Sequence, residues 1–130
     1  MPSSFTERLS RGILLSDGAM GTQLYARGGR GVGPCLDALN LSQPELVRGI
    51  HLDYLRAGAE LIKTNTFGAS AIRLAAHGLA GRVADINRAG VAIAQEARRL
   101  TGQELWVAGA IGPVGRDVSQ YGVVRSASAQ

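Results

Sequence analysis

The chain is short of several things, and each shortage excludes a class of protein. Among its 130 residues there is one cysteine, Cys35. A single thiol permits no internal disulfide and no cysteine-based metal cluster within the chain. No apolar stretch approaches the ~18 residues of a membrane span. The first residues, Met1 to Arg8, carry no apolar segment of a secretory leader. The expected setting is cytoplasmic, with no membrane partner. Lysine is nearly missing: of 14 basic residues only Lys63 is a Lys, the rest are Arg, and 10 acidic residues leave a net charge of +4. The Arg are scattered singly, apart from Arg98-Arg99, and are not interleaved with aromatics. A nucleic-acid partner needs a clustered basic face, so none is expected. There is no repeat of fixed period and no G-x-G-x-x-G dinucleotide fingerprint.

What the chain does have is three short apolar runs with similar endings. They are Ile13-Leu14-Leu15-Ser16-Asp17-Gly18-Ala19-Met20-Gly21, Leu61-Ile62-Lys63-Thr64-Asn65-Thr66-Phe67-Gly68 and Leu105-Trp106-Val107-Ala108-Gly109-Ala110-Ile111-Gly112-Pro113. Each reads as a buried strand running into small, polar or glycine residues, with helical patterns between. That is the pattern of α/β architecture with parallel β/α units, in which ligand chemistry gathers at the carboxyl ends of the strands. Strands are expected at Ile13 to Ser16, Leu61 to Thr64 and Leu105 to Ala110, with Trp106 in the core. Three parallel strands alone leave two apolar edges unpaired, so self-association through those edges is expected.

The helices announce themselves by their ends. Ser4 and Glu7 have the spacing of a capping box for a lead-in helix to Arg11, with Gly12 as its stop. Thr22 to Ala26 reads as a turn of helix, and Arg27 to Pro34 as an irregular loop. Ser42 as N-cap, Pro44 in the first turn and Glu45 three residues on mark the next helix, with Val47, Ile50, Tyr54 and Leu55 as its stripe and Gly58 beyond its end. Ala69 to His77 is helical in composition. Val83, Ile86, Gly90, Ala94, Ala97 and Leu100 form one stripe of a longer helix closed near Gly102. Gly90 costs that helix roughly 1 kcal/mol against Ala, which marks it as a close packing contact.

Two segments are candidates for chemistry. In the elbow Asp17-Gly18-Ala19-Met20-Gly21, glycine lets backbone approach a ligand, the following helix start offers N–H groups to an anion, and Asp17 could accept from an ammonium group. The same residues equally suit a tight turn with Asp17 as an N-cap. In Thr64-Asn65-Thr66, alternation sends Thr64 and Thr66 to one face and Asn65 to the other. They are either ligand contacts or turn caps. His51 and His77 fall on helices away from strand ends and read as surface or packing residues. Cys35 reads as a free, semi-buried thiol.

These residues also resemble a known family. Asp17-Gly18-Ala19-Met20-Gly21-Thr22, Asp37-Ala38-Leu39-Asn40-Leu41-Ser42-Gln43-Pro44, Ile50-His51, Tyr54-Leu55, Ala57-Gly58-Ala59-Glu60, Thr64-Asn65-Thr66-Phe67-Gly68-Ala69 and Ala108-Gly109-Ala110-Ile111-Gly112-Pro113 occur in that family's order. Over about residues 10 to 116 the chain resembles the amino-terminal part of the homocysteine S-methyltransferase domain. That domain is found in cobalamin-dependent methionine synthase, betaine–homocysteine methyltransferase and related enzymes.

The resemblance implies a (β/α)8 TIM barrel, of which this chain would hold the first three strands. It implies residues 1–12 as a lead-in, 13–116 as the amino-terminal part of the homocysteine-binding barrel and 117–130 as a divergent or frayed tail. It implies methyl transfer to the thiol of homocysteine to give methionine, with the thiol activated by a zinc ion on three Cys of later strands. Those Cys motifs do not occur in this sequence, so no metal ligand and no catalytic residue is expected here, and the chain alone is expected to be inactive. Asp17, Gly18, Ala19, Thr64, Asn65 and Thr66 are the implied contacts for homocysteine. Lys63 departs from the family, where an acidic residue or Gln is commoner. The methyl donor is not implied. An alternative is a non-catalytic half-barrel subunit that needs a second chain. A basic module for anionic partners would rest on charge alone.

Overall fold

A computed structural model describes residues 3–115. The lead-in forms as its caps dictate. Helix α1 (Phe5–Ser10) begins with a reciprocal capping box between Ser4 and Glu7. Arg8 grips Glu60 through two bonds, Nε to Oε1 at 2.8 Å and Nη2 to Oε2 at 2.7 Å. Ser3 bonds Glu104. Glu60 and Glu104 each immediately precede a strand run, so the lead-in lies at the amino ends of the sheet.

Helix α2 (Gly21–Gly28) follows the elbow, then a 3-10 turn over Gly29–Gly31. The expected loop from Arg27 to Pro34 is therefore partly ordered, because Val32 is buried with Leu24 and Val47 and holds the segment down. A short α3 (Leu39–Ser42) leads into α4 (Pro44–Arg56). Ser42 is not the cap of α4; it closes α3, its hydroxyl donating to Ala38 O at 3.3 Å, and uncapped Gln43 takes the N-cap position. Then come β1 (Leu61–Lys63), α5 (Ala71–Ala75), α6 (Val83–Thr101) and β2 (Trp106–Ala108). Helix α6 ends at Gly102, whose φ of +63° is the left-handed conformation glycine adopts without strain.

Strands β1 and β2 pair in parallel, Leu61 with Trp106, Ile62 with Val107 and Lys63 with Ala108. The expectation of three strands is corrected in part. Residues 13–17 run beside β1 with a single parallel bridge, Ser16 to Leu61, and do not form a strand. Asp17 N donates to Leu61 O, and Glu60 N and Leu61 N to Leu15 O. Ile13 and Leu15 stay exposed, so no packing extends the pairing outward. The strands also stop short of Thr64 and Ala110, for a reason visible in the site below. A closed barrel is not formed by the described residues.

The helices bury one face of this sheet. Ile62 and Leu105 pack with Leu55 of α4 and with Ala94 and Ala97 of α6. A second cluster joins Leu24, Val47, Ile50 and Ile93 where α2, α4 and α6 meet. Two expected core residues lie elsewhere. Trp106 is half-buried, stacked edge-on against Phe5 at 5.9 Å, and Leu100 in the last turn of α6 is exposed. The tail over residues 117–130 lies outside the described residues.

Candidate functional site

A cleft of roughly 540 Å³ opens at the carboxyl ends of the strands. One wall is the elbow Asp17–Gly21, another the segment Pro34–Asp37, and Lys63, Thr64 and Asn65 contribute from the end of β1. Of the residues expected from sequence, Asp17, Gly18, Ala19, Thr64 and Asn65 line this cleft. Thr66 does not; it lines a smaller neighbouring hollow of roughly 210 Å³.

The elbow is built tightly. Tyr54 of α4 donates its hydroxyl to Ala19 O at 2.7 Å. A Cβ on Gly18 would lie 2.9 Å from that phenolic oxygen, so a larger residue here would push the Tyr54 ring aside. The start of α2 lines the cleft, and no side chain caps it. Its first N–H groups have no intrahelical partners. Beside them the Asp17 side chain is only 3% exposed. Its Oδ2 accepts from Lys63 N at 3.0 Å, and its Oδ1 pairs with the Lys63 ammonium.

The polar triplet serves first to bind the protein to itself. Ala110 N donates to Thr64 Oγ1 at 3.1 Å, and Thr66 Oγ1 donates to Ala110 O at 2.8 Å. The two hydroxyls lie 2.7 Å apart. Thr66 uses its only hydroxyl proton on Ala110, so Thr64 donates to Thr66 and the ring closes. This ring takes over from the backbone ladder beyond Lys63 and Ala108, which is why both strands end early. Asn65, at a bend closed by Thr66 N donating to Thr64 O at 2.9 Å, points the other way. Its Nδ2 donates to Leu36 O and to Asn40 Oδ1, both at 3.0 Å, while Asn40 Nδ2 returns a bond to Asn65 O at 2.7 Å.

Several cleft residues escaped prediction. Asp37, Arg73 and His77 line it opposite the elbow. Asp37 accepts from Gly68 N at 3.0 Å. Burial pushes its carboxyl above the usual carboxylate range, against the lowering effect of that bond and of its own N–H, then of Arg73 and His77. Asp37 stood inside a recognisable motif; Arg73 of α5 and His77 just beyond it gave no local signal, since only the tertiary fold brings them to the cleft. His51 is fully buried in α4, in keeping with a packing role, and neither ring nitrogen has a partner among the described residues. Cys35 is half-buried at the cleft wall.

Comparison with known proteins adds independent findings. The family model described as homocysteine S-methyltransferase matches residues 14–129, which includes most of the segment set apart as a tail. The methionine synthase of Mycobacterium tuberculosis is 34% identical over 131 residues, 92% of this chain and 11% of that protein. The methionine synthase of Mycobacterium leprae is 35% identical over 133 residues, 93% and 11% respectively. The chain thus spans about a tenth of the length of these relatives. Among solved structures, the metallated form of the homocysteine methyltransferase MmuM from Escherichia coli superposes with a TM-score of 0.73 at 36% identity, over 84% of this chain and 41% of that one. Its oxidised form gives 0.73 at 38%, over 82% and 40%.

Proposed function

The chain belongs to the homocysteine S-methyltransferase family, and we propose that its cleft holds the amino-acid end of homocysteine in a methyl transfer that yields methionine. One observation carries this reading. A buried carboxylate, Asp17, stands beside the uncapped start of α2 on one cleft wall. An α-amino acid is a zwitterion, and this pairing offers an acceptor for its ammonium and N–H donors for its carboxylate. Gly18 and Ala19 give the ligand access to the backbone, and Thr64 and Asn65, locked by their own bonds, shape the floor. Thr66 acts on the ligand through Thr64.

The family resemblance implies zinc as the activator of the substrate thiol. Among residues 3–115 no three His, Cys, Asp or Glu gather as a ligand set, and Cys35 has no second thiol in the chain to join it. This donor set does not fit zinc, so thiol activation is assigned to none of these residues. Their part is to bind and orient. The reading implies a (β/α)8 barrel completed by further strands and a cytoplasmic setting; no described helix is long and apolar enough to cross a membrane.

Calorimetric titration of the chain with L-homocysteine tests the proposal. Asp17→Asn is expected to weaken binding by tenfold or more, the loss of a charge-assisted bond of about 1.5–3 kcal/mol. Equal binding by both chains would make Asp17 a turn residue and remove the proposal's foundation. A second reading, a half-barrel subunit completed by another chain, is favoured by two apolar side chains, Ile13 and Ile111, each 92% exposed.

A further inference from the structure

Lys63 is the only lysine of the chain. Its ammonium group reaches back over the elbow to Asp17 Oδ1, to Asp17 O at 3.1 Å and to Ser16 Oγ at 3.2 Å. Its backbone N–H holds Asp17 Oδ2 at 3.0 Å, and Ser16 Oγ adds a bond to Oδ1 at 3.3 Å. Both carboxylate oxygens are therefore engaged. The two partners differ in freedom: the Asp17 side chain is 3% exposed, that of Lys63 45%. The anion is fixed, and the cation covering it has a path into solvent.

An ammonium on a lysine stem and the α-ammonium of a free amino acid carry the same charge and the same three donors. We propose that Lys63 is a specificity-determining residue that competes, within the molecule, for the subsite Asp17 offers to a ligand's ammonium group. This rests on the homocysteine reading of the cleft and concerns how that cleft selects its ligand. An amino acid that enters exchanges one ion pair on Asp17 for another, so the loss of Lys63 offsets part of what its ammonium gains. A ligand without an ammonium leaves Lys63 in place and is indifferent to it. Discrimination between the two is thus set by the residue at position 63, through a competing contact.

The test compares the wild-type chain with Lys63→Gln and Lys63→Arg, each titrated with L-homocysteine and with 4-sulfanylbutanoate, the same molecule without its amino group. Lys63→Gln is expected to bind homocysteine roughly five- to tenfold more tightly, between the value of an exposed ion pair and that of a charge-assisted bond. Lys63→Arg is expected to match wild type, and 4-sulfanylbutanoate to bind all three alike. As the sole lysine, Lys63 also has the only side-chain Nζ resonance of its kind, and homocysteine should shift it in the wild-type chain as the ammonium leaves Asp17. That measurement decides the matter even if Lys63→Gln fails to fold. Homocysteine binding that is equal or weaker in Lys63→Gln, or that leaves the Nζ resonance unmoved, overturns this proposal and leaves the homocysteine reading standing. Failure of both wild type and Lys63→Gln to bind homocysteine overturns both.

Discussion

Gly90 offers a test of how the core supports the cleft. It lies inside α6, and an added Cβ would sit 2.7 Å from Thr66 Cγ2, 2.8 Å from Asn40 Nδ2 and 3.5 Å from Asn65 O. In an open helix Gly→Ala gains about 1 kcal/mol. Here the methyl group must displace Asn40, whose Nδ2 donates to Asn65 O at 2.7 Å and to Ile86 O at 3.1 Å. Overpacking costs about 1–3 kcal/mol, and a buried carbonyl left without its donor costs about 1–3 kcal/mol more. Taking values near the lower middle of each range, Gly90→Ala should destabilise by about 2 kcal/mol net. Gly49, inside α4, is the control, because nothing lies within 4 Å of its added Cβ. Gly49→Ala should gain up to about 1 kcal/mol. Urea denaturation of the three chains reads both signs, and Tm should fall by roughly 5–10 °C in one variant and rise by a few degrees in the other. Because Asn65 lines the cleft, Gly90→Ala should also weaken homocysteine binding. A Gly90→Ala chain as stable as Gly49→Ala would refute the argument, since propensity alone would then describe both sites.

Three further outcomes follow from other parts of the molecule. Thr64→Val keeps the shape but opens the ring with Thr66 and Ala110, and should lower stability by about 1–3 kcal/mol in the same denaturation assay; an unchanged midpoint would mean the ring carries no net stability. Burial pushes the His51 imidazole down from 6.5 to about 4, against the opposing pull of the Asp17 charge. The unfolded chain therefore takes up this proton first as pH falls, so stability is full above about 6.5 and declines toward pH 4 by about 3 kcal/mol. His51→Gln should flatten the curve in that window, and a wild-type slope in the variant would assign the acid sensitivity elsewhere. The open sheet edges and the exposed apolar side chains of Ile13 and Ile111 should make the chain self-associate in light scattering, and Ile13→Lys should shift it toward monomer; a monomer in both chains would contradict this.

Local rules carried much of the fold. The Ser4–Glu7 box starts α1 and Gly102 ends α6, because caps act within one turn of chain. Helical periodicity marked Val47, Ile50 and Leu55 as buried, and the tightness at Gly90 was legible as an unfavourable residue kept in a helix. The opposite facing of Asn65 and its two threonines agrees with the alternation read from the sequence, although the triplet lies beyond β1, at a bend closed by Thr66 N donating to Thr64 O at 2.9 Å. What tertiary structure decided depends on partners far along the chain. Asp17 and Lys63 are 46 residues apart, as are Thr64 and Ala110, and no local pattern pairs them. Ile13 to Ser16 has the composition of a strand, yet a strand needs neighbours, and a single bridge on one side does not extend it. Trp106 and Leu100 carry core composition but stand at the rim, because hydrophobicity sets a side chain's preference for burial while the packing of other elements decides whether a buried place exists for it.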